Sequence, residues 1–193
     1  MKRIAIVVLL ATIGWSQTPA DNAELKQIYE ADQSDRTVSG DKVDWFQVAN
    51  RDMARRQRVR ELMEQDKLVT GKDYEHAAMV FQHGVSADDF LLAHVLAVTA
   101  IGKGALSARW LATATLDRYL QRIGQPQIFG TQFLSHTENE KVSWTMDPYN
   151  RTLLSPKLLD ANCVPDPEDQ LEMLKAFEKG EEPKPPKKQP CKK

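Results

Sequence analysis

The run Phe90 to Ile101 constrains this chain more than any other stretch. It is apolar at every position except His94 and Thr99. A helix that is apolar all round belongs either at the centre of a domain or in a membrane. The run has 12 residues, well short of the ~20 needed to span a bilayer. The expectation is a central helix around which others pack. Ser86-Ala87-Asp88-Asp89 caps it and Gly102 ends it.

The same grammar marks further helices. Asp21-Asn22-Ala23-Glu24 is a capping pattern followed by Leu25, Ile28 and Tyr29 at helical spacing, which predicts a helix over 22–36. A break at Val38-Ser39-Gly40 precedes a second helix over 44–65. The Arg-rich middle of this helix, Arg51 to Arg60, reads as a solvated face. Thr70-Gly71-Lys72-Asp73 opens a third helix over 72–83, stopped by Gly84. Ser107 opens a fifth, stopped by Gly124.

Beyond Gly124 the period changes. Gln127 to Thr137 and Lys141 to Met146 alternate around Glu138-Asn139-Glu140, which predicts a β-hairpin that Asp147-Pro148 ends. A short last helix is expected over 166–178. The fold class is therefore mainly α: a compact domain of about five main helices with a small C-terminal β-hairpin and a short last helix, consistent with the helical spacing above. Residues 21–179 are read as a single mostly helical domain, and 180–193 as a disordered Pro/Lys tail.

Met-Lys-Arg, then an almost wholly apolar Ile4 to Ile13, then Gly14-Trp15-Ser16 describe a signal peptide over 1–16, with cleavage after Ser16 or as late as Ala20. Its removal leaves 24 basic and 27 acidic residues. The expected location is periplasmic or extracellular, with no stable membrane span after cleavage. The lack of a basic excess and an aromatic content of 7% exclude nucleic acid as a partner. Cys163 and Cys191 form one disulfide in an exported protein or stay as two thiols, and the sequence leaves both open.

Candidate chemistry gathers on a few polar residues. His94, inside the apolar run, needs a partner, and Asp117 on the edge of the fifth helix's apolar face is one candidate. A His–Asp pair orients an imidazole for acid–base work, or is a structural pair of the core. His76 and His83 are seven residues apart, or ~10.5 Å along a helix, which is poor spacing for a metal pair. No metal and no cofactor is expected. Asp32 and Arg36, one turn apart, are a surface pair or a fork held for an acidic ligand. Arg118 has the same capacity. Gln125-Pro126-Gln127 and Gly130-Thr131-Gln132 add amides and a hydroxyl suited to a small-molecule pocket.

Four of these blocks carry a resemblance: Asp32-Gln33-x-x-Arg36, Gln82-His83, Asp117-Arg118, and Gly124-Gln125-Pro126-Gln127-x-Phe129-Gly130-Thr131-Gln132. Over about residues 25–133 the chain resembles the bacterial proteins grouped as domain of unknown function 6624. The resemblance implies a mostly helical domain in which these positions share one site, and it brings no reaction. Many members continue acidically after the helix-end His, where this chain has Gly84-Val85-Ser86.

The functional expectation is a small-ligand-binding or interaction module, with Gln33, Arg36, His83, Asp117, Arg118, Gln127, Thr131 and Gln132 lining a polar pocket. The alternatives are an enzyme using His83 or His94 with Asp117 as its acid–base pair, and a partner-binding protein without a pocket.

Overall fold

The computed structural model describes residues 19–37, 43–186 and 191. The proposed signal peptide, the 38–40 break and, of the expected tail, residues 187–190 and 192–193 lie outside them. The described chain is mainly helical: α1 (Ala23–Thr37), α2 (Trp45–Glu64), α3 (Gly71–Gln82), α4 (Ala87–Gly102), a 3-10 turn (Leu106–Ala108), α5 (Arg109–Arg122), β1 (Leu134–Glu138), β2 (Lys141–Thr145), α6 (Pro156–Ala161) and α7 (Pro167–Glu178). The mainly α class with a small hairpin and short late helices is as expected.

Caps set the helix starts. Thr70 and Ser86 close reciprocal capping boxes with Asp73 and Asp89, satisfying N–H groups that a helix start otherwise leaves open. For α1 the cap is Asn22, whose side chain accepts from Leu25 N. Asp73 also accepts from the backbone N–H of Asn22, so one buried carboxylate ties the starts of α1 and α3 together. Ser107 does not cap the fifth helix. Its hydroxyl donates to Glu75, and the chain enters α5 through the 3-10 turn instead.

Helix α4 packs between α3 and α5, and α3 also packs on α1 and α2. The core joins Leu25, Val59, Leu62, Val80, Phe81, Leu96 and Leu111 with alanines of α3, α4 and α5. Those alanines let α4 approach both neighbours closely. The outer side of α4 is uncovered, with Leu91, Val95 and Val98 at 38%, 52% and 49% exposure. It is therefore flanked on two sides and not enclosed. An apolar helix with a bare face carries the same sequence pattern as an enclosed one, which is why the central placement was overstated.

The hairpin is antiparallel, pairing Leu134 with Thr145 through to Glu138 with Lys141. It is shorter at its start than expected. Residues 127–133 form an irregular loop, joined to the chain beyond the hairpin by a single parallel bridge from Gln127 to Tyr149. Phe177 of α7 packs against Phe133 and Trp144. Cys163 and Cys191 form a disulfide. None of the described helices is long and apolar enough to cross a membrane.

Candidate functional site: a histidine–aspartate pair at the helix ends

The last turn of α1, the C-terminus of α3 and the later half of α5 meet at one end of the bundle. His83 is the C-cap of α3. Its carbonyl accepts from Arg56 Nη1 at 2.9 Å, which pins the residue just where the helix ends. Its Nδ1 lies 2.9 and 3.1 Å from the two carboxylate oxygens of Asp32. Asp32 is fully buried. An ionised carboxylate can only accept, so Nδ1 is the donor to Asp32, and in the neutral ring Nε2 would present the lone pair. No described residue hydrogen-bonds Nε2, and the His83 side chain keeps 15% of its surface exposed.

Asp32 is itself held from three directions. Besides His83, it accepts from Gln33 Nε2 at 2.7 Å and from Arg36 Nη1 at 3.1 Å. Arg36 reaches on to Asp52 of α2 at 2.5 Å. Arg55 joins Asp52 to Asp35, and Arg51 closes on Asp35 with two nitrogens. The Arg51 guanidinium, aided by Arg55, holds the Asp35 carboxyl at about 2 against burial that would raise it. The Arg-rich middle of α2 is solvated at Arg51, Arg58 and Arg60, as expected, and also forms a ladder of ion pairs within α2 and to other helices. Arg56 and Arg60 pair with Asp89, and Arg58 pairs with Glu24 and Glu61. Asp52 and Glu61 are local to the run, but Asp35, Glu24 and Asp89 are distant in sequence, so local composition conceals most of the acids that pair with it.

Arg118 enters from α5. Its Nη1 reaches the carbonyl of Gln82, the residue before His83, at 3.5 Å. Burial makes its proton easier to lose than an ordinary arginine's, and the positive charge of Arg36 adds to this. Gln33, Arg36, His83 and Arg118 of the expected set thus come together.

The other four expected residues bond to the loop after α5 and to one another. Asp117 is fully buried. Its Oδ1 accepts from the N–H of Ile128 at 2.8 Å and of Phe129 at 3.0 Å, and its Oδ2 from the N–H and hydroxyl of Thr131 at 3.0 and 2.7 Å. Gln127 is also sealed, accepting from Gln132 N and donating to the carbonyls of Gln132 and Met146. Gln132 donates to Ala114 O. Gly130 completes the loop at φ +73°, where an added Cβ would meet Gln170 Oε1 at 2.7 Å and the Tyr149 ring at 2.8 Å. Thr131 and Gly130 also line a cavity of about 60 Å³ with Trp110, Phe133, Pro165, Gln170 and Met173.

The expected pairing of a histidine with Asp117 does not form. His94 Nδ1 bonds to the carbonyl of Ala112 at 2.8 Å, a backbone partner available across the tight α4–α5 interface. All four acceptor directions of Asp117 are taken by the loop. The carboxylate that orients a histidine is Asp32. Sequence reading placed Asp32 beside Arg36 but missed its contact with His83, because the two lie 51 residues apart. His76 stacks on Tyr29 with ring centroids 4.3 Å apart and is buried. No cluster of three or more metal-ligating side chains occurs among the described residues.

Compared with known proteins, the chain matches no family model, no curated protein and no solved structure.

Proposed function

We propose that the chain is an exported bacterial protein whose site performs acid–base chemistry on a small polar ligand. His83 Nε2 exchanges the proton, and Asp32 is the positioning residue that fixes the tautomer. The observation that carries this reading is the His83–Asp32 pair at 2.9 Å, with the His83 side chain partly exposed and no described residue bonded to Nε2. A buried carboxylate that anchors Nδ1 fixes the ring's direction and stabilises the imidazolium formed when Nε2 takes a proton. The residues carrying the resemblance to domain of unknown function 6624 divide in a way that fits. Asp32 holds the His83 imidazole, Gln33 and Arg36 hold Asp32, and Arg118 bonds the carbonyl before His83, while Asp117, Gln127, Thr131 and Gln132 hold the loop after α5. The Cys163–Cys191 disulfide supports export, since such bridges persist in oxidising compartments.

A panel of chromogenic carboxylic and phosphate esters, run on the wild type and His83→Gln, tests the catalytic reading. General acid–base groups contribute about 10²–10⁴-fold. Turnover that falls by about a hundredfold or more in His83→Gln is expected. Turnover equal in the two proteins would remove His83 from the chemistry. Ligand binding without any turnover would leave the module reading in its place.

A further inference from the structure

Arg36 and the arginines in the middle of α2 each face a carboxylate, and Arg118 does not. Arg36, Arg51 and Arg55 are matched by Asp32, Asp52 and Asp35. Arg56 and Arg60 are matched by Asp89. Among the described residues, Arg118 has no carboxylate within ion-pairing distance, and its one hydrogen bond there is the long contact to Gln82 O at 3.5 Å. A guanidinium carries five N–H donors, and leaving a buried donor unpaired is costly.

The unmet hydrogen bonds also cluster here. Of the five buried side-chain polar atoms without a partner among the described residues, three are Gln82 Oε1, Arg118 Nε and Gln121 Nε2. Gln82 is itself only 6% exposed. Gln121 lies one turn beyond Arg118 on α5, so the two share a face. No described residue hydrogen-bonds Arg118 Nη2. Among the described residues this half-buried cation is short of partners, next to the helix end that carries His83.

We propose that Arg118 is the anchor for an oxyanion, a carboxylate or phosphate group, on the ligand that His83 acts upon. This rests on the acid–base reading of His83 for the reaction, but the binding step stands without it. The oxyanion supplies the counter-charge that the fold withholds from Arg118, and the planar fork is suited to grip two oxygens at once. Arg36 does not take this part, because both of its terminal nitrogens already face carboxylates. Gln82 Oε1 accepts from a ligand O–H or N–H, which favours an oxyanion carried on a hydroxylated or aminated molecule over a bare ion.

The test is titration of the intact mature protein with inorganic phosphate, malonate and, as a neutral control, glycerol. Binding is read from thermal stabilisation and from the NMR signal of the Arg118 Nε–H. In the wild type, phosphate or malonate shifts that signal and raises the melting temperature at millimolar concentration, and glycerol does neither. Arg118→Gln loses the response at least tenfold, and Arg118→Lys retains part of it. Both readouts follow binding and need no turnover, so a failed acid–base reading of His83 does not register as a failed anchor. The better of the two anions separates a phosphate site from a carboxylate site. A wild-type Arg118 signal unmoved by either anion overturns the proposal without any variant. An equal response in the wild type and Arg118→Gln overturns it too.

Discussion

Asp117 gives the sharpest quantitative test, because the structure assigns it a scaffold part in place of a catalytic one. Replacement by Ala strips the acceptor from three backbone N–H groups, those of Ile128, Phe129 and Thr131, and from the Thr131 hydroxyl. The hydroxyl can turn elsewhere, while the amides are fixed by the loop. Each orphaned buried donor costs about 1–3 kcal/mol. Water entering the vacated space would recover part of that, so the net loss is about 4 kcal/mol for the three. Asp117→Asn keeps one oxygen toward Ile128 and Phe129 and turns an NH₂ toward the Thr131 amide. That single donor–donor conflict costs about 2 kcal/mol. Urea unfolding reads both. With a slope of about 2 kcal/mol/M, the midpoint falls by about 2 M for Ala and about 1 M for Asn. Amide exchange of Ile128, Phe129 and Thr131 accelerates in the same order. An Asp117→Ala protein with an unchanged midpoint and unchanged protection of these three amides would refute the scaffold assignment. So would an Asn variant less stable than the Ala one.

Other perturbations follow from the same contacts. Gly130→Ala pushes a Cβ into Gln170 and Tyr149 and forces a side chain into the left-handed region. It should lower stability by about 2 kcal/mol or more, seen as a lower urea midpoint. Reducing the Cys163–Cys191 bridge, which spans 28 residues, should cost about 3–4 kcal/mol in the chain-entropy account, measured by denaturation with and without reductant. Burial, and secondarily the charge of Lys72, holds the His76 imidazole below its ordinary value of 6.5. The unfolded chain therefore takes up its proton first as pH falls. The stabilisation from His76 is complete above about 6.5 and declines below it. His76→Gln should flatten the urea midpoint against pH in that window. Asp35, held at about 2 against an ordinary 3.8, withdraws stability only lower, as pH falls from about 4 towards 2. Asp35→Asn should make that acid limb shallower without touching the limb near 6.

The helices were legible because their signals are local. Thr70…Asp73 and Ser86…Asp89 each put a cap and its reciprocal acceptor within four residues, and the backbone there has little choice. Gly124, at φ +75°, ends α5 as its place in the sequence implied. The loop over 127–133 was not legible as a loop. Its alternation of polar and apolar residues is the period of a strand, but the polar residues point at Asp117 and at one another, not at solvent. Only the position of Asp117 at the start of that loop's path distinguishes the two cases, and position is a tertiary fact.

The site was legible as a list of residues and illegible as a set of pairs. Gln33, Arg36, His83 and Arg118 were named from type and setting, and they do converge. The pairing went wrong because a carboxylate's partner depends on which acceptor directions the backbone leaves free. Asp117, singled out as the orienter, is consumed by three amides and a hydroxyl before any imidazole can reach it. Asp32, read as a partner for the next turn, has both oxygens within reach of His83 and is still bonded by Arg36 and Gln33. The neighbours Asp117 and Arg118 show the same limit from the other side. Read together they look like an ion pair, yet the carboxylate serves the loop and the guanidinium is left with no counter-charge among the described residues. A fold that supplies a carboxylate to every arginine of the adjoining ladder, and none to Arg118, reserves that cation for something other than the fold.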